Sequence, residues 1–122
     1  MESPVINIVG SAEQSRLGQG AAQELDQGGM ARPVTRGAWT IRDPYRIPEA
    51  FARAFRTAMT GRRGPVHLTI PVDVQRQEVA EDEVTFYEPR EYRSQAPSVA
   101  AADQVRDAVE LLRTAVRPLI IA

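Results

Sequence analysis

The spacing of apolar residues changes several times along the chain, and each spacing predicts one type of element. The run PVINIVG, Pro4 to Gly10, is almost continuously apolar and stops at glycine. Such a run is typical of a strand that is covered on both faces, as in a parallel sheet. The next segment, RLGQGAAQELDQGG, places alanines and leucines at helical spacing and predicts a helix that ends at Gly28 and Gly29.

The segment IPEAFARAFRTAMTG carries the strongest helix pattern in the chain. Pro48 fits the first turn, where a missing N–H costs nothing, and Gly61 supplies a stop. One face of this helix is expected to pack on a sheet because its apolar residues recur at helical spacing. The residues of that face are Phe51, Ala54, Phe55, Ala58 and Met59. Before this helix, residues 34–41 predict a short strand or an extended connection.

The stretch GRRGPVHLTIPVDVQ, residues 61–75, predicts a further strand. It places Val66, Leu68 and Ile70 on one side and His67 and Thr69 on the other. Strands and helices therefore alternate along the first half of the chain. This order predicts an α/β fold with a parallel sheet.

The composition changes after Val74. Residues 75–97 are mostly polar and charged, which is typical of an exposed connector. Ser98 is positioned to cap a second amphipathic helix, and RPLIIA, residues 117–122, predicts a buried strand. The apolar stripe of this helix comprises Ala101, Val105, Ala108, Val109 and Leu112. Because one helix and one strand cannot bury a core, we expect a truncated second domain.

Composition narrows the classes of function. The 122 residues are 43% hydrophobic and 25% charged, as in a soluble globular domain, and the net charge of -1 argues against binding to nucleic acid or to an anionic membrane. The absence of cysteine excludes disulfides, a thiolate nucleophile and a cysteine-ligated metal. Since neither a long apolar run nor a signal-peptide pattern is present, we expect a cytoplasmic protein.

Several motifs together carry a resemblance to a known family. The stretch GRRGPVHLTIPVDVQ, with RPVT, IPEAFARAFRTA and LLRTAVRPLIIA, resembles the acetolactate synthase-like superfamily of thiamine diphosphate-dependent enzymes. This superfamily includes 2-hydroxyacyl-CoA lyase, oxalyl-CoA decarboxylase and benzaldehyde lyase. The resemblance implies that residues 1–74 are the C-terminal half of the pyrimidine-binding domain, residues 75–97 a linker and residues 98–122 the start of a central α/β domain.

The resemblance also implies a cofactor and a reaction. Enzymes of this kind use thiamine diphosphate with magnesium to make or break a carbon–carbon bond next to a carbonyl, and the protein positions the cofactor. The glutamate that activates the aminopyrimidine ring is expected upstream of Met1. The Gly-Asp-Gly motif that holds the metal and diphosphate does not occur in this sequence. We therefore assign no catalytic and no metal-ligating residue, and we expect the chain alone neither to bind the cofactor nor to be active.

The resemblance implies one site position, at Gln23. Family members often carry an aromatic-Gln-Glu sequence where this chain has AAQE, and their glutamine faces cofactor and substrate. Ala22 replaces the aromatic residue, which predicts a roomier substrate pocket. Pattern alone leaves the alternative that Gln23 is a solvated helix residue. The implied substrate is a small 2-oxoacid or an acyl-CoA, and the complete enzyme is expected to be a homo-oligomer.

Other residues have simpler interpretations. His67 is the only histidine, and because it lies in the middle of a strand without an evident partner it is interpreted as structural or exposed and not as a general base. Glu24 is interpreted as a solvated helix carboxylate. GRRG resembles an anion-binding turn, although in the family it only precedes the last strand. The alternative to an enzyme segment is a non-catalytic α/β interaction module or the remnant of a split gene.

Overall fold

The computed structural model describes residues 3–93 and 99–119. In these residues, β1 (Ile6–Ser11), β2 (Ala38–Thr40) and β3 (Val66–Pro71) form a parallel sheet in the order β1-β3-β2. The parallel α/β prediction is therefore confirmed.

Helices and short turns connect and flank the strands. The helices are α1 (Gln27–Ala31), α2 (Ile47–Met59), α3 (Val72–Arg76), α4 (Pro89–Tyr92) and α5 (Ala102–Thr114). Turns of 3-10 helix occupy Gln14–Arg16, Arg32–Val34, Pro44–Arg46 and Glu81–Glu83. None of the helices in the described part of the chain is both long enough and apolar enough to cross a membrane.

The helix α2 forms as its pattern predicts. Pro48 lies in its first turn, and Gly61, just beyond its end, has a φ of 63° that suits glycine. The guanidinium of Arg36 donates to the carbonyl oxygens of Thr57 and Thr60 at 2.7 and 2.6 Å. This cation stabilises the C-terminal end of the helix, where carbonyl groups lack helical partners.

The core lies between α2 and one face of β3. Val66, Leu68 and Ala54 are fully buried, and Ala58 is nearly so. The alanines allow the helix to approach the sheet closely. The predicted apolar face is wrong at Phe55, which is 39% exposed and packs on Tyr92 of α4 with ring centroids 5.6 Å apart. This ring lies at the edge of the stripe, where α4 reaches it and the sheet does not.

The strand β1 is present, but it is not covered on both faces. It pairs with β3 alone among the described strands, so it lies at the sheet edge, and Ile8 is 49% exposed. The central position belongs to β3, whose residues are buried on both faces.

The predicted helix over residues 16–29 is wrong. Residues 17–26 form a series of turns, here called the cavity loop, in which Gly18, Gly20 and Gln23 all have positive φ. Left-handed backbone interrupts a helix, and this overrides the helical spacing of the apolar residues. The helix α1 starts only at Gln27, after Asp26 caps the N–H of Gly29 at 2.8 Å. The predicted stop at Gly28 and Gly29 therefore lies inside α1.

Beyond α3, nearly all of the described residues are exposed. Among Gln77 to Arg93 only Val84 and Tyr92 are half-buried, and α3 continues past Val74. The division into a domain, a linker and a second domain stays a prediction. The predicted helix is confirmed as α5, and every one of its residues is exposed. The predicted cap Ser98 and the end of the predicted strand, residues 120–122, lie outside the described residues.

Candidate functional site

A cavity of about 460 Å³ lies at the carboxyl ends of all three strands. Ser11, Thr40 and Pro71, the last residues of β1, β2 and β3, line it. The cavity loop and the start of α1 complete its wall. In open parallel sheets this edge is where ligands bind, because connecting loops meet there. The cavity is therefore the candidate ligand site of this chain.

The conformation of the cavity loop depends on Glu24. Its carboxylate accepts hydrogen bonds from the backbone N–H of Gly18 and, at 2.9 Å, of Ala21. These two bonds stabilise the charged form and lower the pKa of Glu24 below its ordinary value. The interpretation of Glu24 as a solvated helix carboxylate is wrong, because the residue lies in a turn and holds that turn together.

Gln23 lies where the loop approaches the cavity. It lines the main cavity and an adjoining one of about 280 Å³, which Ala22 also lines. Within residues 3–93 and 99–119, Gln23 is the one non-glycine residue with positive φ, at 64°. That backbone region is costly for a side chain and is enriched at functional positions. Gln23 is exposed, as the alternative of a solvated residue expected, but it lies in a turn and not in a helix, and its role toward a ligand stays a prediction.

Ala22 is exposed and lies outside any helix. A larger side chain at this position would enter the adjoining cavity rather than a packed core. Both sequence-predicted site residues thus lie on one turn beside open space.

A polar cluster around the buried His67 and Thr69 reaches the cavity, and sequence reasoning missed it. His67 is 4% exposed, and its Nδ1 and Nε2 lie 3.0 Å from Asn7 Nδ2 and 2.9 Å from Thr69 Oγ1. The Thr69 hydroxyl donates to Gln27 Oε1 at 3.3 Å, and Gln27 Nε2 donates to the Gly10 carbonyl at 2.9 Å. The structural interpretation of His67 holds in that its ring is buried and bonded, but the expectation that it lacks a partner is wrong.

A second polar contact ties the floor of the site to α3. Asp73 accepts from the backbone N–H of Gln14 at 3.3 Å and from its side-chain amide at 3.1 Å. Burial acts to raise the pKa of Asp73, but these hydrogen bonds outweigh it and leave that pKa lowered. The segment just before the cavity loop is therefore anchored to α3.

The GRRG turn lies away from this site. Arg62 and Arg63 line a separate cavity of about 460 Å³ with Ser3, Arg36 and Pro65, next to the start of β3. Arg36 is already bonded to the end of α2, as described above. The turn directly precedes β3, as the resemblance implies.

The acidic residues beside the main cavity do not form a metal centre. Asp26 and Glu24 both bond backbone N–H groups. The described residues include no group of three or more histidine, aspartate or glutamate side chains that could hold a metal ion.

The chain is similar in sequence to several curated enzymes. The chain is 35% identical to a probable acetolactate synthase large subunit of Methanocaldococcus jannaschii, which it matches over 98% of its own length and 20% of the relative's. It is 36% identical to the glyoxylate carboligase of Escherichia coli O157:H7 (98% and 19%) and 35% identical to the 2-hydroxyacyl-CoA lyase of Arabidopsis thaliana (97% and 21%). The chain thus spans about a fifth of the length of these curated relatives. No family model matches it.

The fold comparison agrees with the sequence comparison. Benzoylformate decarboxylase from Polynucleobacter necessarius superposes with a TM-score of 0.68 and 22% identity, over 93% of this chain and 20% of that one. At this identity the superposition establishes a shared fold alone. Together with the relatives, it confirms the resemblance to the thiamine diphosphate-dependent, acetolactate synthase-like superfamily.

Proposed function

We propose that this chain is the segment of a thiamine diphosphate-dependent enzyme that builds one wall of its substrate site. The complete enzyme would make or break a carbon–carbon bond next to the carbonyl of a small 2-oxoacid or an acyl-CoA. Within it, residues 1–74 would belong to the pyrimidine-binding domain, 75–97 to a linker and 98–122 to the central domain. The supporting observation is that the matched segment forms a cavity at the carboxyl ends of its parallel strands, with Gln23 at the rim.

The residues of this chain suit the part of such a site that binds an uncharged organic group, and they do not suit the part that binds magnesium and diphosphate. The cavity offers amide and hydroxyl groups from Gln23, Gln27 and Thr69, which suit a neutral heteroaromatic ring or a carbonyl. A magnesium-bound diphosphate needs carboxylate or carbonyl ligands grouped around the ion. No such carboxylate group occurs among the described residues. We therefore assign this chain a role in orienting the ligand and derive no chemical step from it.

The side-chain amide of Gln23 would position the substrate. An amide donates to a carbonyl oxygen without titrating, so its contribution does not depend on pH. Ala22, beside it, would leave the adjoining cavity open for a larger acyl group. Replacing it with phenylalanine would then raise KM for a bulky 2-oxoacid and spare a small one, because pocket differences of this size contribute about 1–3 kcal/mol.

The isolated chain is expected to show no useful affinity for thiamine diphosphate and magnesium. Isothermal titration of the 122-residue protein with both ligands checks this point. One-to-one binding with micromolar affinity would contradict the assignment of diphosphate binding to other segments.

A chimera tests the proposed function. The matching segment of the E. coli O157:H7 glyoxylate carboligase is replaced by this chain, and thiamine diphosphate binding and glyoxylate carboligation are measured. We expect a folded chimera that binds the cofactor and is active. Gln23→Ala should lower kcat/KM about two- to tenfold, the value of one neutral hydrogen bond.

Gln19→Ala is the matched control. Gln19 lies on the same loop but bonds the Ser15 carbonyl and does not line the cavity, so its loss should leave kcat/KM unchanged. A folded chimera that binds no thiamine diphosphate would favour a non-catalytic α/β module. Equal activity of the Gln23→Ala variant would remove Gln23 from the site.

A further inference from the structure

The polar cluster beside the cavity is a directional chain of hydrogen bonds across three elements. An amide nitrogen only donates, so Asn7 Nδ2 requires His67 Nδ1 to accept their 3.0 Å contact. With Nδ1 accepting, the ring proton belongs on Nε2, which lies 2.9 Å from Thr69 Oγ1 and can donate to it. The Thr69 hydroxyl donates a hydrogen bond to Gln27 Oε1, and Gln27 Nε2 donates one to the carbonyl oxygen of Gly10. Each group in this series of hydrogen bonds thus determines the orientation of the next group.

The last member of the chain faces the candidate site. Thr69 and Gln27 both line the main cavity, whereas His67 is buried behind them. The carboxamide of Gln27 has two N–H donors, and Gly10 takes one of them. The other makes no hydrogen bond to any residue between 3 and 93 or between 99 and 119. A single donor with a defined orientation is therefore left at the cavity wall.

We propose that Gln27 is a ligand-binding residue whose free amide N–H donates to the carbonyl oxygen of the substrate, and that His67 is the positioning residue that orients it through Thr69. This deepens the proposed function and rests on it, since it names the group of the substrate that this wall recognises. A carbonyl oxygen is common to 2-oxoacids and acyl-CoA thioesters. The cavity lining carries both signs of charge, since Glu24, Asp26 and Arg42 all contribute to it.

The series of hydrogen bonds from Asn7 to Gly10 orients the side chain of Gln27, which the local backbone of Gln27 does not do. Gln27 is the first residue of a short helix, and its side chain is only half-buried. A half-buried glutamine side chain that makes no bonds samples several rotamers and loses their entropy on binding a ligand. The bonds to Thr69 and Gly10 remove that freedom before the ligand arrives.

The test uses the intact 122-residue chain labelled with ¹⁵N. A long-range ¹H–¹⁵N spectrum of the imidazole identifies the tautomer of His67. Methyl pyruvate, an uncharged 2-oxo ester, is then titrated while the side-chain amide of Gln27 is followed. We expect the Nε2–H tautomer and a saturable shift of the Gln27 amide.

Two pairs of variants separate positioning from folding. Thr69→Ser keeps the hydroxyl and should bind like the wild type, whereas Thr69→Val should weaken methyl pyruvate binding about two- to tenfold. Gln27→Ala should weaken it as much, and Gln19→Ala should not change it. Backbone spectra show whether each variant is folded, and the serine and alanine variants keep the test decisive if the valine variant unfolds.

The proposal is overturned if wild-type His67 carries its proton on Nδ1. It is also overturned if the wild type shows no saturable shift, or if Gln27→Ala binds methyl pyruvate as the wild type does. These results are distinct from failure of the proposed function, which depends on cofactor binding and turnover in the chimera.

Discussion

The two faces of β3 are built from adjacent residues and yet differ in every property that matters for function. Val66 and Leu68 point toward α2 and are fully buried among alanines and other apolar side chains. His67 and Thr69 lie on the other face, almost as deeply buried, and each is hydrogen-bonded. The strand alternation thus separates an apolar face from a polar one.

The comparison shows what each face contributes. Burial of apolar side chains stabilises the fold without specifying the orientation of any polar group. A buried polar group is costly unless it is paired, and a paired group has a defined orientation. Among the described residues, no buried side-chain nitrogen or oxygen lacks a partner. The α2 face therefore stabilises the sheet, while the α1 face orients groups at the cavity.

The largest expected effect concerns the apolar face. Leu68→Ala should lower the free energy of unfolding by about 2–5 kcal/mol, because it leaves a cavity among fully buried neighbours. Urea denaturation measures the loss. Leu111→Ala, at a leucine that is 72% exposed on α5, is the matched control and should change stability by less than about 1 kcal/mol. Equal losses at both positions would show that β3 is not the core.

A smaller effect is expected on the polar face. Thr69→Val keeps the shape but leaves the Nε2–H of His67 and the oxygen of Gln27 without their partner, which should cost about 1–3 kcal/mol. Thr69→Ser should restore most of this. The same urea experiment compares the three proteins. A valine variant as stable as the serine variant would mean that the hydroxyl contributes nothing.

A substitution at Phe55, at the edge of the apolar stripe of α2, tests how far the apolar core extends. Phe55→Ala should remove the contact with Tyr92 and cost about 0.5–1.5 kcal/mol, the value of an aromatic pair. Faster amide exchange in α4 would report its release. Phe86, 70% exposed, provides the comparison. If Phe86→Ala releases α4 as much as Phe55→Ala, the ring pair is not what holds that helix.

The smallest effect is confined to the cavity loop and depends on pH. Backbone N–H groups of Gly18 and Ala21 lower the pKa of Glu24, so its stabilising contribution is complete above the ordinary value of 4.5 and is lost as pH falls through the lower folded value. Amide resonances of Gly18 and Ala21 should shift over that acid range. Glu24→Gln should abolish this titration. Its persistence in the glutamine variant would assign it to another carboxyl group.

Periodic elements were predictable from the sequence because their signals are local. The helix α2 and the strand β3 follow directly from apolar spacing and from flanking proline and glycine. The cavity loop was mispredicted because its leucines and alanines happen to fall at helical spacing. Left-handed glycines and the bonds of Glu24 decide its backbone, and spacing does not report them.

The candidate site was predictable only where the resemblance reached it. The AAQE motif pointed to Gln23, which lines the cavity, and its role toward a ligand stays a prediction. The partners of His67 were not found, because Asn7 is brought opposite it by strand pairing across 60 residues. One local signal existed for Gln27, because it follows Asp26 and aspartate often caps a helix. A helix that begins there places the side chain of its first residue at the sheet edge.

Substitutions at two neighbouring residues test most directly whether the apolar face of β3 stabilises the fold while its polar face orients Gln27. The side-chain amide of Gln27 and the free energy of unfolding are measured together in Leu68→Ala and Thr69→Val. We predict that Leu68→Ala causes the larger loss of stability and leaves the Gln27 amide resonances in place, while Thr69→Val shifts those resonances at a smaller cost in stability. A Gln27 amide that moves in the leucine variant and stays unchanged in the valine variant would contradict the account.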